Sequence, residues 1–162
     1  GDGHTGVCVM DVEEGLDTGG VHARLELPIG VDTTAEELRA ALVARGTTLL
    51  VDTLAHGLGA SEPQVGEPTY AHKIDPTELH IDWSQPPDAV HRLVRVGGAW
   101  TTHGDRRLKV WRSTLEPAVG VPVACGSGRL GLVEVQPEGK ARMSAQAWAH
   151  GARFAAGDAL GQ

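Results

Sequence analysis

The chain has 162 residues, of which 41% are hydrophobic and 22% are charged. This length predicts about one domain with a buried core, and the composition is typical of a soluble globular protein. No apolar run approaches the roughly 18 residues that a membrane span requires, and no signal peptide pattern is present. Two cysteines exclude a disulfide scaffold and a four-cysteine zinc site, so we expect a cytoplasmic protein.

Charge and aromatic residues are distributed unevenly along the chain. Residues 1–75 carry four basic residues against 13 acidic ones, a net charge of −9, whereas residues 76–162 carry ten against eight, a net charge of +2. All four tryptophans, the tyrosine and the phenylalanine lie at or beyond position 70. Since the first half has almost no aromatic residues for a core, we expect it to be part of a larger domain and the second half to be more nearly complete. The positive charge of the second half leaves a nucleic-acid partner open.

The first elements predict a β-hairpin. Residues 6–12 are mostly apolar and β-branched, which indicates a largely buried strand with Cys8 as a small core residue. Residues 13–20 are rich in turn formers. Residues 21–27 then alternate between apolar and polar side chains, which predicts a strand whose His22 face is solvated.

A helix is predicted to begin at Thr33 or Thr34, each of which is followed three residues later by a glutamate, as in a capping box. Leucines at helical spacing favour one apolar stripe. Gly46 weakens the middle, which predicts either a break or a close packing contact there. Gly57 and Gly59 can end the helix.

The sequence pattern predicts three parts, namely a first domain segment over 1–58, a linker over 59–79 and a second domain over 80–162. A short helix begins at Pro86-Pro87, with Ser84 or Gln85 near its cap. The later elements are two hairpins and a closing helix, predicted over 99–103 with 107–112, over 121–125 with 130–135, and over 143–156. This pattern favours a small OB-like antiparallel β-barrel after the tail of an α/β domain.

Two possible ligand motifs are better explained as ordinary structure. Residues 126–131 match G-x-G-x-x-G, but a strand pattern follows them where a dinucleotide site needs a helix, so we predict a hairpin turn. The eight histidines are scattered without metal-ligand spacing, so we predict no metal site.

The loop from Gly15 to Gly19 allows two interpretations. Asp17 favours a turn in its own right. It could also be a functional carboxylate at a strand end, where α/β sheets place their sites and where flanking glycines let backbone groups approach a ligand.

Two groups of cations in the second half also allow two interpretations, a solvated face or phosphate contacts to an RNA backbone. One group lies on the hairpin predicted over 99–103 and 107–112, where Arg107, Lys109 and Trp111 share a strand face. The candidate RNA-binding residues are Arg106, Arg107, Lys109, Lys140 and Arg142.

Several segments occur together in the order and spacing of a known family. They are GVCVMDVEEGLDTGG, TYAHKI, IDWSQPPDAVHRLVR, GAWTT with RRLKVW, and QPEGKARMSAQAW. Over essentially its whole length the chain resembles methionyl-tRNA formyltransferase, particularly its actinobacterial forms. GLDTG is shared with other folate-dependent formyltransferases, whereas IDWS and the QPEGK ending favour the tRNA enzyme.

The resemblance implies formyl transfer from 10-formyltetrahydrofolate to the amino group of methionyl initiator tRNA, without a metal. It implies the tail of a Rossmann-like formyltransferase domain and an OB-like tRNA-binding domain, in a monomer. By motif match Asp17 is catalytic. The folate-binding residues are then Glu13, Glu14, Gly15, Leu16 and Asp17, and the tRNA contacts are the five cations named above.

The sequence departs from the family pattern in two places. The family's N-x-H-x-S-L-L-P motif, which lies upstream of GLDTG, is absent, so we expect a fragment that is inactive alone. The stretch between Trp111 and Cys125 is short, which predicts one barrel strand fewer. The alternatives are a sibling formyltransferase acting on an amino sugar, a formyl-folate hydrolase, or a non-catalytic tRNA-binding fragment.

Overall fold

The amino-terminal strands form the predicted hairpin. A computed structural model describes residues 1–67, 69–155 and 158–161. In it, β1 (His4–Met10) and β2 (Val21–Pro28) pair antiparallel, with Cys8 opposite Arg24. They belong to the first of two compact units, Gly1–His72 and Lys73–Gln162, whose division lies inside the stretch where the sequence predicts a linker.

β1 is not the buried strand that its apolar sequence predicts. Its residues alternate between exposed and half-buried, and Cys8 is exposed, so the expectation of a core cysteine was wrong. The reason is that one helix packs on the Val7 side of the hairpin, whereas consecutive side chains of a strand point to opposite faces. Among the described residues, no second layer covers the Cys8 side.

The helix that packs on the hairpin is α1 (Ala35–His56). Thr34 is its N-cap in a complete capping box, since the Glu37 N–H donates to Thr34 Oγ1 at 3.2 Å and the Thr34 N–H donates to the Glu37 carboxylate at 2.9 Å. The helix runs through Gly46 without a break. A Cβ there would lie 3.0 Å from Val7 Cγ2, so Gly46 serves as a close packing contact. Gly57 ends the helix with a φ of 86°.

The second unit contains an antiparallel sheet and two helices. Its elements are α2 (Pro87–Val96), β3 (Trp100–His103), β4 (Arg106–Thr114), β5 (Val121–Ala124), β6 (Arg129–Pro137), β7 (Met143–Ser144) and α3 (Ala145–Ala152). The strand order is β3-β4-β6-β5, and β7 also pairs with β6. Both predicted hairpins are confirmed, and the glycine motif at 126–131 falls at the β5–β6 connection. Within the described residues the pairing path is open, ending at β3 and β5.

The start of α2 agrees with the prediction, and the end of α3 differs from it. Pro86 is the N-cap of α2, so Gln85 lies next to the cap, while Ser84 Oγ donates to the Asp82 carboxylate at 2.6 Å. α3 has the predicted Ser144 cap but ends at Ala152, before the expected residue 156, which lies outside the described residues. It ends there because Arg153 adopts the left-handed conformation, with a φ of 55°.

The hydrophobic core lies in the second unit, in agreement with the distribution of aromatic residues. Of the buried hydrophobic residues among those described, only Val21 belongs to the first unit. Buried His91 is paired inside this core, with Nδ1 2.8 Å from Ser113 Oγ. None of the described helices is both long and apolar enough to span a bilayer.

Candidate functional site

Asp17 lies on an exposed turn between β1 and β2. The Asp11 N–H donates to the Gly20 carbonyl at 2.9 Å and closes the base of the turn. All residues from 11 to 18 are exposed, and Leu16 is 89% exposed. Asp17 has a φ of 54°, a left-handed conformation that aspartate tolerates better than most residues. The turn therefore presents the Asp17 side chain to solvent on a defined backbone.

The other folate-binding candidates lie on the same turn and are organised by Thr18. The Thr18 hydroxyl lies 3.1 Å from the Glu13 carboxylate and 3.4 Å from the Gly15 carbonyl oxygen. Gly19 is buried, and a Cβ there would overlap the backbone of Asp11. The structure thus gathers Glu13, Glu14, Gly15, Leu16 and Asp17 on one compact turn.

The segment after α1 also contacts this turn, which the sequence analysis missed. Val21 and Glu62 exchange two backbone hydrogen bonds, at 2.8 and 2.9 Å. Two residues further on, the Gln64 side-chain amide donates to the Asp17 carbonyl at 2.6 Å and to the Gly19 carbonyl at 2.9 Å. No local pattern predicts these bonds, because Gln64 and Asp17 are 47 positions apart.

A histidine joins the end of β1 to the same segment. His22 Nε2 lies 2.9 Å from the Asp11 carboxylate, and His22 Nδ1 lies 3.0 Å from the Gly59 carbonyl oxygen. The prediction that His22 is solvated was wrong, since its side chain is only 9% exposed. The hydrogen bond to Asp11 raises the pKa of His22, and the same bond lowers the pKa of Asp11.

The five candidate RNA-binding cations lie around the β3–β4–β6 part of the second unit, and we call them the basic face. Arg107 stacks on Trp100, with its guanidinium carbon 3.8 Å from the ring centre. Trp111 has Arg142 at 3.5 Å and Lys109 Nζ at 5.8 Å from its ring centre. The predicted shared face of Arg107, Lys109 and Trp111 is consistent with these contacts on β4.

Two clefts open on the basic face. The larger, of about 480 Å³, is lined by Arg106, Arg107 and Lys140 together with His103 and Trp148. The smaller, of about 280 Å³, is lined by Arg107 and Lys109 among others. Glu138 also lines both clefts, so the face is not uniformly positive. Arg142 lines neither cleft and meets the face through Trp111.

The described residues contain no group of three or more His, Cys, Asp or Glu side chains that could hold a metal ion.

The sequence profile described as "Formyl transferase, C-terminal domain" matches residues 73–153, which is half of the chain and nearly all of the second unit. The chain therefore belongs to the formyl transferase C-terminal domain family. Among curated relatives, the methionyl-tRNA formyltransferase of Roseobacter denitrificans is 44% identical over 93% of this chain and 54% of its own length. The chain thus spans about half the length of the curated relatives it matches.

Solved structures share the fold at lower identity. HypX from Aquifex aeolicus, in complex with tetrahydrofolic acid, has a TM-score of 0.70 at 15% identity, covering 94% of this chain and 31% of that one. Methionyl-tRNA formyltransferase from Clostridium thermocellum has a TM-score of 0.61 at 18% identity, covering 83% of this chain and 56% of that one. These likenesses extend over both units.

Proposed function

We propose that this chain is part of a methionyl-tRNA formyltransferase, which transfers the formyl group of 10-formyltetrahydrofolate to the amino group of methionyl initiator tRNA. The observation that carries the proposal is the exposed Asp17 turn in the same chain as a formyl transferase C-terminal domain with a basic face. The Roseobacter denitrificans relative, which is 44% identical over 93% of this chain, supports it. We also propose that the protein acts as a monomer in the cytoplasm.

We infer that the two units correspond to the end of a Rossmann-like catalytic domain and an OB-like domain. The antiparallel five-stranded sheet of the second unit supports the OB-like assignment. We propose domain bounds of 1–58 and 80–162 with the connection at 59–79. The first part of that connection also buttresses the Asp17 turn, through Glu62 and Gln64.

Asp17 has a clear chemical task in this reaction. The methionyl amine forms a bond to the formyl carbon, and a tetrahedral intermediate with a negative oxygen results. The bond between that carbon and the folate nitrogen then breaks, the attacking nitrogen loses a proton and the folate nitrogen gains one. A carboxylate placed at the reacting atoms can order water and assist this proton removal. Since the Asp17 side chain is exposed on a defined turn, it suits that role.

The turn itself suits a folate cosubstrate. Residues 13 to 16 are all exposed, and Leu16 presents an exposed apolar side chain. Pockets for flat cofactors combine apolar contacts with a few polar backbone groups. The tetrahydrofolic acid complex of HypX, a structural neighbour, supports this assignment.

The basic face suits the tRNA partner. Cations held against indole rings are partly ordered before binding, so less side-chain freedom is lost when they meet a phosphate. Phosphate contacts give affinity without sequence specificity, which suits the body of a folded RNA. The net charge of +2 that the sequence assigns to residues 76–162 agrees with this partner.

The substitution Asp17→Asn tests the catalytic assignment. In a chimera, this chain replaces the matching segment of the Roseobacter denitrificans relative and so regains an upstream half. We expect the parent chimera to formylate methionyl initiator tRNA and Asp17→Asn to lose at least about a hundredfold in kcat, because one positioned acid–base group contributes that much. Asparagine also tolerates the left-handed backbone, so the turn should persist.

The matched control is Asp52→Asn, an exposed carboxylate on α1 that removes the same charge. It should retain the parent activity, and binding of tetrahydrofolate should survive both changes. Near-parental turnover by Asp17→Asn would remove Asp17 from the mechanism. A parent chimera that ignores methionyl-tRNA but formylates an amino sugar would instead support the sibling activity.

A further inference from the structure

The position of the Asp17 carboxylate is set by the backbone conformation of the turn. Among the described residues, no side-chain hydrogen bond reaches this carboxylate, which is exposed. Its placement therefore follows from the conformation of the turn, and that conformation includes the left-handed φ of 54°. A non-glycine residue in this region costs energy, so it persists only where surrounding contacts determine it.

Gln64 supplies the contacts that determine it. A primary amide carries two N–H donors on one nitrogen. Gln64 Nε2 uses them on the Asp17 carbonyl at 2.6 Å and the Gly19 carbonyl at 2.9 Å, on either side of Thr18. Since one nitrogen holds both oxygens, the peptide that follows Asp17 cannot rotate without breaking a bond.

The anchor is itself fixed. Glu62, two residues before Gln64, pairs with Val21 through two backbone hydrogen bonds, at 2.8 and 2.9 Å. Arg24 adds an exposed ion pair to Glu62 at 3.5 Å. The Gln64 side chain therefore extends from a backbone segment that is hydrogen-bonded to the edge of β2, and this pairing fixes the position of Gln64 relative to the turn.

We propose that Gln64 is a positioning residue for Asp17. Its side-chain amide donates to the backbone carbonyls of Asp17 and Gly19 and so fixes the turn that carries the Asp17 carboxylate. This inference rests on the proposed function. The described hydrogen bonds of the Gln64 side chain go to the backbone carbonyls of Asp17 and Gly19 and not to the Asp17 carboxylate, so its contribution passes through the backbone. Misplacement of a catalytic group by about 1 Å can cost about a hundredfold in rate.

Gln64→Glu tests this assignment, because glutamate has the same shape but offers two carboxylate oxygens to the two carbonyls. In the Roseobacter chimera we expect kcat to fall at least tenfold, while KM for methionyl-tRNA and the melting temperature stay close to parental values. Combined with Asp17→Asn, the change should cost nothing further. The control Gln146→Glu makes the same chemical change at an exposed position of α3, in the second unit, where the amide donates only one long hydrogen bond, to the Val119 carbonyl at 3.4 Å, and its turnover should match that of the parent.

The turn can also be followed without catalysis in the 162-residue chain. Backbone amide resonances of Thr18 and Gly19 should shift in Gln64→Glu and not in Gln146→Glu. If Asp17→Asn abolishes turnover while Gln64→Glu retains it, or if the turn resonances do not move, Gln64 has no positioning role. If the parent chimera is inactive, the proposed function fails and the resonances alone decide the role of Gln64.

Discussion

At the scale of single residues, His22 is held between two acceptors. The Asp11 carboxylate faces Nε2, and the Gly59 carbonyl faces Nδ1. Both ring nitrogens can donate at once only in the imidazolium form. When the ring is protonated, it donates to both acceptors and ties the end of β1 to the segment after α1, beside the turn that carries Asp17.

The sign of the pH dependence follows from the two shifts. The pKa of His22 is raised above its ordinary 6.5, so its stabilising contribution is complete below 6.5 and is lost as pH rises through the higher folded value. The pKa of Asp11 is lowered from 3.8, so its contribution is complete above 3.8 and is lost as pH falls through the lower folded value. The contact is strongest between these limits.

An NMR titration of the imidazole protons checks this. We expect His22 in the 162-residue chain to titrate above 6.5, and Asp11→Asn to lower its pKa because the charged partner is gone. Asp52→Asn should leave the His22 titration where it was. A His22 pKa at or below 6.5, or a His22 pKa that is the same in the parent and in Asp11→Asn, would contradict this account of the contact.

At the scale of elements, the β5–β6 hairpin docks on the turn that precedes α2. Asp82 shapes that turn by accepting from Ser84 Oγ at 2.6 Å, the Ser84 N–H at 2.9 Å and Gln85 Nε2 at 3.0 Å. The hydrogen bonds, chiefly from the Ser84 side chain, lower the pKa of Asp82 to about 2. The Gly126 N–H donates to the Gln85 carbonyl at 3.0 Å, and a Cβ at Gly126 would overlap the Ser84 backbone.

Gly126→Ala should therefore destabilise the chain, by about 1–3 kcal/mol in the free energy of unfolding, which is the usual cost of overpacking. Gly151→Ala is the control, because no heavy atom other than the nearby backbone of α3 itself and the two chain neighbours lies within 4 Å of the added Cβ. Alanine there should be neutral or stabilise by up to about 1 kcal/mol. Urea unfolding measures both, and a Gly126→Ala chain as stable as the parent would refute the docking.

The elements that the sequence predicts correctly are those with local signals. Alternation and turn residues define the hairpins, and Thr34 with Glu37 defines the start of α1. The error at Cys8 concerns distant partners, because the exposure of a strand face depends on which elements cover it. In the candidate site, the GLDTG motif identifies Asp17. The contacts of His22 with Gly59 and of Gln64 with Asp17 have no local signal, because the partners are 37 and 47 positions apart.

At the scale of the whole molecule, charge and core divide at the same place. The first unit, Gly1–His72, carries three basic residues against 12 acidic ones, and the second carries 11 against nine. All but one of the described buried hydrophobic residues lie in the second unit. This division fits the proposed separation of formyl transfer in the first unit from RNA binding in the second.

Binding of methionyl initiator tRNA to the 162-residue chain tests the central claim, because a formyltransferase for amino sugars has no need of it. A fluorescence titration should show affinity that falls steeply with salt. Arg107→Gln with Lys109→Gln should weaken binding about tenfold and reduce the logarithmic salt slope by about 2, since two phosphate contacts are lost. Arg39→Gln with Arg45→Gln, an equal charge change on exposed α1, should leave both unchanged. Absence of binding at low salt, or equal losses in the two pairs, would contradict the account.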